Sequence, residues 1–155
     1  MTSQTSSRQY LQQQLILAEK SKNWLEHSLR QAESINQGEL STVDYDILEA
    51  LSSRYGRFVD ILINKLFRAV DLFELMDAGT LIDTLNRAEK RGIITADTGR
   101  ELKELRNLIV HEYDPVVVSK LANDIIQYAQ VAIKVHARLL SYLTDTHKFR
   151  LPEVQ

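Results

Sequence analysis

Residues 48–76 read LEALSSRYGRFVDILINKLFRAVDLFELM and decide the fold class. Their apolar residues recur every three or four positions, which places them on one face of an α-helix and not on alternate faces of a strand. This apolar series consists of Leu48, Leu51, Tyr55, Phe58, Leu62, Leu66, Ala69, Phe73 and Met76. The stretch therefore predicts a long core helix that begins after Ser41 or Thr42 and ends at residues 77–79.

The same spacing continues before and after this stretch. It predicts further helices at about residues 8–35, 80–90, 101–110 and 115–142. Gly92 is suited to a left-handed helix end, Asp114 to an N-cap, and Pro115 to the first position of a helix. No segment has the alternating pattern of a strand. The sequence therefore predicts an all-α fold, an antiparallel up-down helical bundle of four main helices plus one short helix.

Length and composition indicate one globular domain. The 155 residues are 44% hydrophobic and 26% charged, which is ordinary for a chain that buries a single core. We expect one domain over residues 1–155, with residues 1–7 and 148–155 as flexible tails. The polar start and the lack of a long apolar run predict a cytoplasmic protein that does not enter a membrane. The absence of cysteine excludes disulfides, a thiolate zinc site and a cysteine nucleophile.

A second stretch, LRNLIVHEYDP at residues 105–115, contains the candidate functional residues. At about 100° per residue, Arg106 falls roughly 40° from Leu102 and 60° from Ile109, inside the apolar stripe of its helix. A guanidinium cannot lose its charge, so an arginine at this position needs a partner. The position predicts either a buried ion pair, a side chain that reaches the rim of the core, or a functional cation.

His111 lies five residues after Arg106, about 140° around a straight helix, so the two side chains point apart unless the helix ends. Asp114 precedes a proline and is therefore disfavoured in helical conformation. We expect His111, Glu112 and Tyr113 at or beyond the frayed last turn, where they can turn toward Arg106, or a site completed by a second copy. A histidine near a helix C-terminus is also explained simply by the helix dipole.

The run Arg106–Tyr113 resembles the R-N-x-x-x-H-x-Y signature of the HEPN toxins that are encoded beside minimal nucleotidyltransferases. Chain length, helical plan and the place of the motif before the last long helix are similar as well. The resemblance implies an endoribonuclease that needs no metal or cofactor and forms its site between the protomers of a homodimer or higher even oligomer. His111 then transfers the proton, Arg106 stabilises the phosphate, and Asn107 supports them.

The resemblance also implies a partner and a mode of control. The partner is a minimal nucleotidyltransferase antitoxin that transfers AMP to a tyrosine in or near the motif, and Tyr113 is the tyrosine of this segment. Nucleotides added there would place negative charge where the phosphate of an RNA substrate binds. We therefore expect Tyr113 to be both a motif residue and a modification site.

Contacts with RNA have to be local, because the formal net charge of the chain is −2. Arg100 and Lys103 lead directly into the motif and are the candidate RNA-binding residues. Arg87, Lys90 and Arg91 precede them and are more readily interpreted as a solvated face.

Two other functions remain open at the level of the sequence. One is a non-catalytic member of the same superfamily that binds a substrate for the nucleotidyltransferase. The other is a plain helical dimerisation module, in which Arg106 and His111 satisfy each other across the interface. The presence of Arg106, His111 and Tyr113 together favours the toxin.

Overall fold

The structure, a computed structural model, describes residues 3–35, 38–112 and 114–155. Regular secondary structure in these ranges is helical throughout, which confirms the all-α class. The elements in chain order are α1 (Ser3–Ala32), α2 (Thr42–Asp60), a π-helical segment (Ile61–Leu66), α3 (Phe67–Phe73), α4 (Leu81–Lys90), α5 (Ala96–His111), α6 (Pro115–Lys120) and α7 (Ala122–His147). Within the described residues, none of these helices combines the length and apolar character that a bilayer span requires.

Helix starts coincide with residues whose side chains accept hydrogen bonds from the first free N–H groups. Ser41 accepts from the N–H of Asp44, whose carboxylate in turn accepts from the N–H of Ser41. Thr80 and Asp83 form the same reciprocal pair at the start of α4. The predicted N-cap is confirmed as well, since Asp114 accepts from the N–H of Val116. These local contacts fix where α2, α4 and α6 begin.

The predicted long core helix contains a change of helix type. Its hydrogen bonds pass from α-helical to π-helical at Ile61–Leu66 and back, and the N–H of Phe67 bonds to the carbonyl of Leu62. A π-turn holds one more residue than an α-turn, so it shifts the buried face by one position. Ile61, Leu62 and Ile63 are consequently all buried in succession. The helix then ends at Phe73, before the predicted end at residues 77–79.

The predicted helix over residues 115–142 is wrong as a single element. It is two helices, α6 and α7, that are separated at Leu121 (φ −84°, ψ −4°). The three valines that follow Pro115 are β-branched and form helix poorly, and Val118 is buried at the short α6. Helix α6 ends where the N–H of Leu121 bonds to the carbonyl of Val118, three residues back, and α7 begins as the carbonyl of Leu121 accepts from the N–H of Ile125.

Parts of both segments that were expected to be flexible tails, residues 1–7 and 148–155, belong to the folded structure. Helix α1 starts at Ser3, and Phe149 is only 3% exposed. The ring of Phe149 packs edge-on against Phe73 at 5.5 Å, and the guanidinium of Arg8 lies 4.6 Å from its centre on another side. Lys148 adopts a left-handed conformation (φ 51°) that ends α7 and directs Phe149 inward. Burial of the Phe149 ring therefore holds this part of the chain against the core, although its neighbours Lys148 and Arg150 are charged.

Helices α2 and α5 cross where the candidate site lies. At this crossing the buried Tyr55 donates a hydrogen bond from its hydroxyl to the carbonyl of Leu102 at 2.9 Å. Burial raises the pKa of Tyr55, so the phenol stays protonated and keeps this bond. The predicted left-handed cap at Gly92 (φ 75°) is confirmed and ends α4 shortly before α5 begins. The motif helix is thus fixed at both its start and its middle.

The core contains one buried histidine that gives a testable pH dependence. His136 is 1% exposed, its Nε2 has no hydrogen-bond partner among the described residues, and Glu19 is 3.9 Å away. Burial lowers the pKa of His136 to about 4, while the unfolded chain protonates it near the ordinary value of about 6.5. Stability from this residue is therefore complete above about pH 6.5 and is lost as the pH falls toward 4.

We expect the free energy of unfolding to fall by on the order of 2–3 kcal/mol over this pH range, as measured by urea denaturation. His136→Leu should remove most of the decrease between about pH 6.5 and 5, since the residue then has no proton to take up. His27→Gln, at a half-exposed position on α1, is the matched control and should keep it. An unchanged pH slope in His136→Leu would contradict the assignment.

Candidate active site

Helix α5 carries most of the motif. Arg106 is half-buried, Asn107 is exposed, and His111 is the exposed last residue of the helix. Glu112 follows in extended conformation (φ −96°, ψ 122°), and Asp114 caps α6. Tyr113, the predicted motif and modification residue, lies outside the residues that the structure describes.

Arg106 pairs with a residue of α2. Its Nε and Nη2 donate to the same carboxylate oxygen of Asp60, at 3.0 Å and 2.7 Å, and its Nη1 donates to the amide oxygen of Asn107 at 3.3 Å. Its aliphatic stem lies over Gly56. The sequence left open whether Arg106 forms an ion pair or only reaches the rim of the core. In the structure it forms an ion pair with Asp60, at a half-buried position.

The ion pair leaves part of the guanidinium available. A guanidinium carries five N–H donors. Asp60 and Asn107 accept three of those of Arg106, so two remain unpaired among the described residues. Arg106 is therefore held along one edge and can still donate to an anion from the other.

Lys103 shares the carboxylate of Asp60. Its Nζ lies 3.4 Å from the second oxygen of Asp60 and 3.4 Å from the amide oxygen of Asn64. One acidic residue thus lies between two cations, and the group keeps one formal positive charge in excess. This excess charge is what an anionic ligand would bind.

Asp60 and Asn64 were missed by the sequence analysis. Both lie at the π-helical segment, Asp60 immediately before it and Asn64 within it. A signal was present in the sequence, since Asp60 interrupts the apolar run VDILI at residues 59–63. An acidic side chain in such a run needs a cation near it, and π-turns occur frequently at functional sites.

His111 is not brought into contact with Arg106 in a single chain. Helix α5 continues through His111, so the two side chains stay about 140° apart, and no hydrogen bond or ion pair links them. With the residues that the structure describes, the imidazole makes no hydrogen bond and no ion pair. The alternative in which the frayed turn swings His111 toward Arg106 is not what the structure has.

The two predicted RNA-binding residues have different surroundings. Lys103 belongs to the group around Asp60, whereas Arg100 pairs with Asp97 on the first turns of α5 at 3.0 Å. The side chain of Arg100 is half-exposed, and six residues of helix turn it about 120° away from Arg106. The structure therefore brings Lys103 to the motif arginine but not Arg100.

Arg87 and Arg91 hold α4 against the end of α3. Arg91 lies 2.7 Å from a carboxylate oxygen of Asp71 and pairs with Glu74 through its Nε. Arg87 lies 3.1 Å from the other oxygen of Asp71 and donates to the carbonyl of Asp77. These two arginines form structural ion pairs and not a solvated face, which corrects the interpretation from sequence.

Glu74 extends this ionic group to α7. Burial by itself would raise the pKa of Glu74, but hydrogen bonds from Tyr142 and the charge of Arg91 lower it below its usual value. Tyr142 donates from its hydroxyl at 2.7 Å, and Nε2 of His147 lies 3.2 Å from the same oxygen. The group thus connects α3, α4 and α7 on a part of the surface separate from the motif.

Apolar side chains are exposed on both sides of His111. Leu108 and Val110 precede it on α5, and Val116 follows it on α6. Each exposes about half of its surface. Leu108 lies about 60° around α5 from His111, whereas Val110 lies about 160° from Leu108, on the side of Arg106. Leu108 and Val116 beside an exposed histidine are consistent with a surface that another protein chain covers.

Comparison with known proteins gives no matching family model, no significant match among curated proteins and no significant match among solved structures.

The geometry around Asp60 gives a prediction that does not depend on function. Asp60 and Arg106 should couple by roughly 0.5–1.5 kcal/mol in a double-mutant cycle on the free energy of unfolding, because the pair is partly buried and doubly hydrogen-bonded. The cycle uses Asp60→Ala, Arg106→Ala and the double variant in urea denaturation. The more exposed pair Asp97 and Arg100 is the control and should couple less. Equal coupling in both cycles would show that the first pair does not fix Arg106.

Proposed function

We propose that this protein is a HEPN toxin, a metal-independent endoribonuclease that acts as a homodimer, or higher even oligomer, of up-down helical bundles and is controlled by a minimal nucleotidyltransferase. The observation that supports it most is a motif arginine held by Asp60 with free N–H donors, on the same helix as an exposed histidine without a partner among the described residues. The R-N-x-x-x-H-x-Y resemblance supplies the chemistry. No cofactor takes part.

The reaction we propose is attack of a ribose 2′-oxygen on the adjacent phosphorus. One His111 takes the proton of the 2′-hydroxyl as the new P–O bond forms, and the bond from phosphorus to the 5′-oxygen breaks. The leaving oxygen takes a proton from a water molecule, which the protonated His111 then restores, and a cyclic phosphate remains on the first fragment. Imidazole suits both roles because it gains and loses a proton near neutral pH.

Arg106 stabilises the charge that develops on the two non-bridging phosphate oxygens. Its two unpaired N–H donors are already oriented, because Asp60 holds the Nε and Nη2 edge of the guanidinium and Asn107 accepts from Nη1. A donor that is positioned in advance needs no reorganisation during the reaction. Lys103 adds charge, and Asp60 is a positioning residue in this scheme.

A second copy is the proposed occupant of the apolar surface around His111. The 140° between Arg106 and His111 prevents one helix from directing both at the same phosphate. In a dimer formed through the surface of Leu108, His111 and Val116, the histidine of one protomer can face the arginine of the other. The plain dimerisation module is less well supported, because Arg106 is already paired with Asp60 inside its own chain.

Cleavage of RNA tests the assignment of Arg106 and His111. Arg106→Ala and His111→Ala should each abolish cleavage of cellular RNA, because one removes the phosphate ligand and the other the proton carrier. EDTA should not inhibit the wild type, and Lys134→Ala, which removes an exposed cation of α7, should remain active.

Light scattering should report a dimer, or a multiple of one, for the wild type and for both inactive variants. Circular dichroism should show that their helices are intact. Undiminished cleavage by His111→Ala would refute the catalytic assignment, and a monomer that cleaves RNA would refute the shared site. Failure of the wild type to cut RNA would favour the non-catalytic binding partner.

Covalent control at Tyr113 is a separate prediction. Incubation with the cognate nucleotidyltransferase, ATP and magnesium should add one or more AMP units to Tyr113 and stop cleavage, since the added phosphate competes for Arg106. Tyr113→Phe should stay unmodified and escape neutralisation. A label on another tyrosine would contradict the site; the others are Tyr10, Tyr45, Tyr55, Tyr128 and Tyr142. Equal neutralisation of Tyr113→Phe would favour simple masking of the site.

A further inference from the structure

Trp24 is the single tryptophan of the chain and is exposed. It lies on α1, and 58% of its surface is accessible, although it is the largest apolar side chain that the protein has. An indole left on the surface of a helix has no role in the core. Its exposure requires another explanation, and tryptophan is a common stacking partner for ligands with flat rings.

Two neighbours hold the indole in a fixed orientation. The guanidinium of Arg54, on α2, lies 4.8 Å from the centre of the ring, and Arg54 is itself fixed by a hydrogen bond to the hydroxyl of Ser28 at 2.7 Å. The ring of His27 meets the indole edge-on, at 6.0 Å and 89°. An oriented indole beside a guanidinium presents a flat surface that is already prepared for stacking.

The charge around Trp24 is positive. Lys20 lies one turn before it on α1, and Arg57 is exposed on α2 one turn after Arg54. Lys20 and Arg57 make no ion pair with the other described residues. The acidic residues of α1, Glu19 and Glu26, lie about 140° and 200° around the helix from Trp24 and pair with Lys22.

Helix α2 contributes residues both to the surface around Trp24 and to the candidate active site. Arg54, Arg57 and Asp60 are three residues apart, so each step turns about 60° around the helix and rises about 4.5 Å. Asp60, at the end of this series, is the residue that holds Arg106. Arg54 and Asp60 are thus separated by about 9 Å along the helix axis and about 120° around it, with Arg57 between them, so a strand of a few nucleotides that follows these residues curves around α2.

We propose that Trp24, Arg54 and Arg57 form a subsite for single-stranded RNA, called here the Trp24 subsite, in which an unpaired base stacks on the indole. The inference rests on the proposed function, since it takes the strand bound at Trp24 to be the substrate whose phosphate binds at Arg106. Arg57 and Lys20 contact phosphates on either side of the stacked base. A base within a duplex is already stacked on its neighbours, so the subsite selects unpaired RNA.

The test uses the full chain with His111→Ala, which binds RNA without cutting it, and an unstructured single-stranded RNA of roughly twelve nucleotides. Because Trp24 is the single tryptophan, stacking is read directly as quenching of the intrinsic fluorescence. Fluorescence anisotropy of labelled RNA gives the affinity in parallel. We expect quenching by the single strand and none by a duplex of the same sequence.

Trp24→Ala should weaken binding roughly five- to a hundredfold, whereas Trp24→Phe should retain most of it. Arg57→Ala should reduce the slope of log affinity against log salt by about 0.7, the value for one phosphate contact of a single strand. The matched control is Leu17→Ala, which removes another exposed apolar side chain from the same strip of α1 and should bind normally. Circular dichroism should confirm that each variant is folded.

RNA binding without quenching, and with equal affinity for Trp24→Ala, would overturn the subsite. The proposed function would stand in that case, provided that the wild type still cuts RNA. A change of Trp24 fluorescence with protein concentration alone, together with loss of the dimer in Trp24→Ala, would make this surface a protein interface and would equally overturn it. A wild type that neither binds nor cuts RNA would remove the proposed function and the subsite together.

Discussion

The ion pair between Asp60 and Arg106 is the contact on which the candidate site depends. Without Asp60, the motif arginine would place an uncompensated charge beside the apolar stripe of its own helix. With it, the guanidinium is fixed along one edge while the other edge stays available. The hydrogen bond from Tyr55 to Leu102 secures the same crossing of α2 and α5 from inside the core. The packing of α2 against α5 therefore also determines where the guanidinium of Arg106 lies.

The chain is slightly acidic overall, but positive charge remains unpaired among the described residues near Asp60 and at Arg57. Arg87 and Arg91 are used inside the protein, where they pair with Asp71 and Glu74. Arg57 has no such partner among the described residues, and the cations at Asp60 outnumber their carboxylate. The net charge of −2 consequently says little about what the surface beside the motif can bind.

Local patterns predicted the all-α class, the capping residues and the need of Arg106 for a partner. They could not identify that partner, because Asp60 is 46 residues away and only the crossing of two helices brings it close. The spacing of apolar residues also assumes a constant turn, so it could not reveal the π-helical segment or the turn at Leu121. Phe149 was misplaced for a related reason, since its burial depends on Phe73 and Arg8 and not on its neighbours in the chain.

The π-helical segment also determines where this chain can change its length. Loss of one residue between Ile61 and Leu66 would restore a regular α-helix, and the hydrogen bonds would suffer little. Because the π-turn holds its extra residue within one turn, the residues on either side of the deletion would keep their orientation relative to each other. Asp60 would still face Arg106, and Ala69 and Val70 would still face the core. A deletion in the regular part of α2 would instead rotate the residues after it by about 100° and separate the functional face of the helix from its buried face.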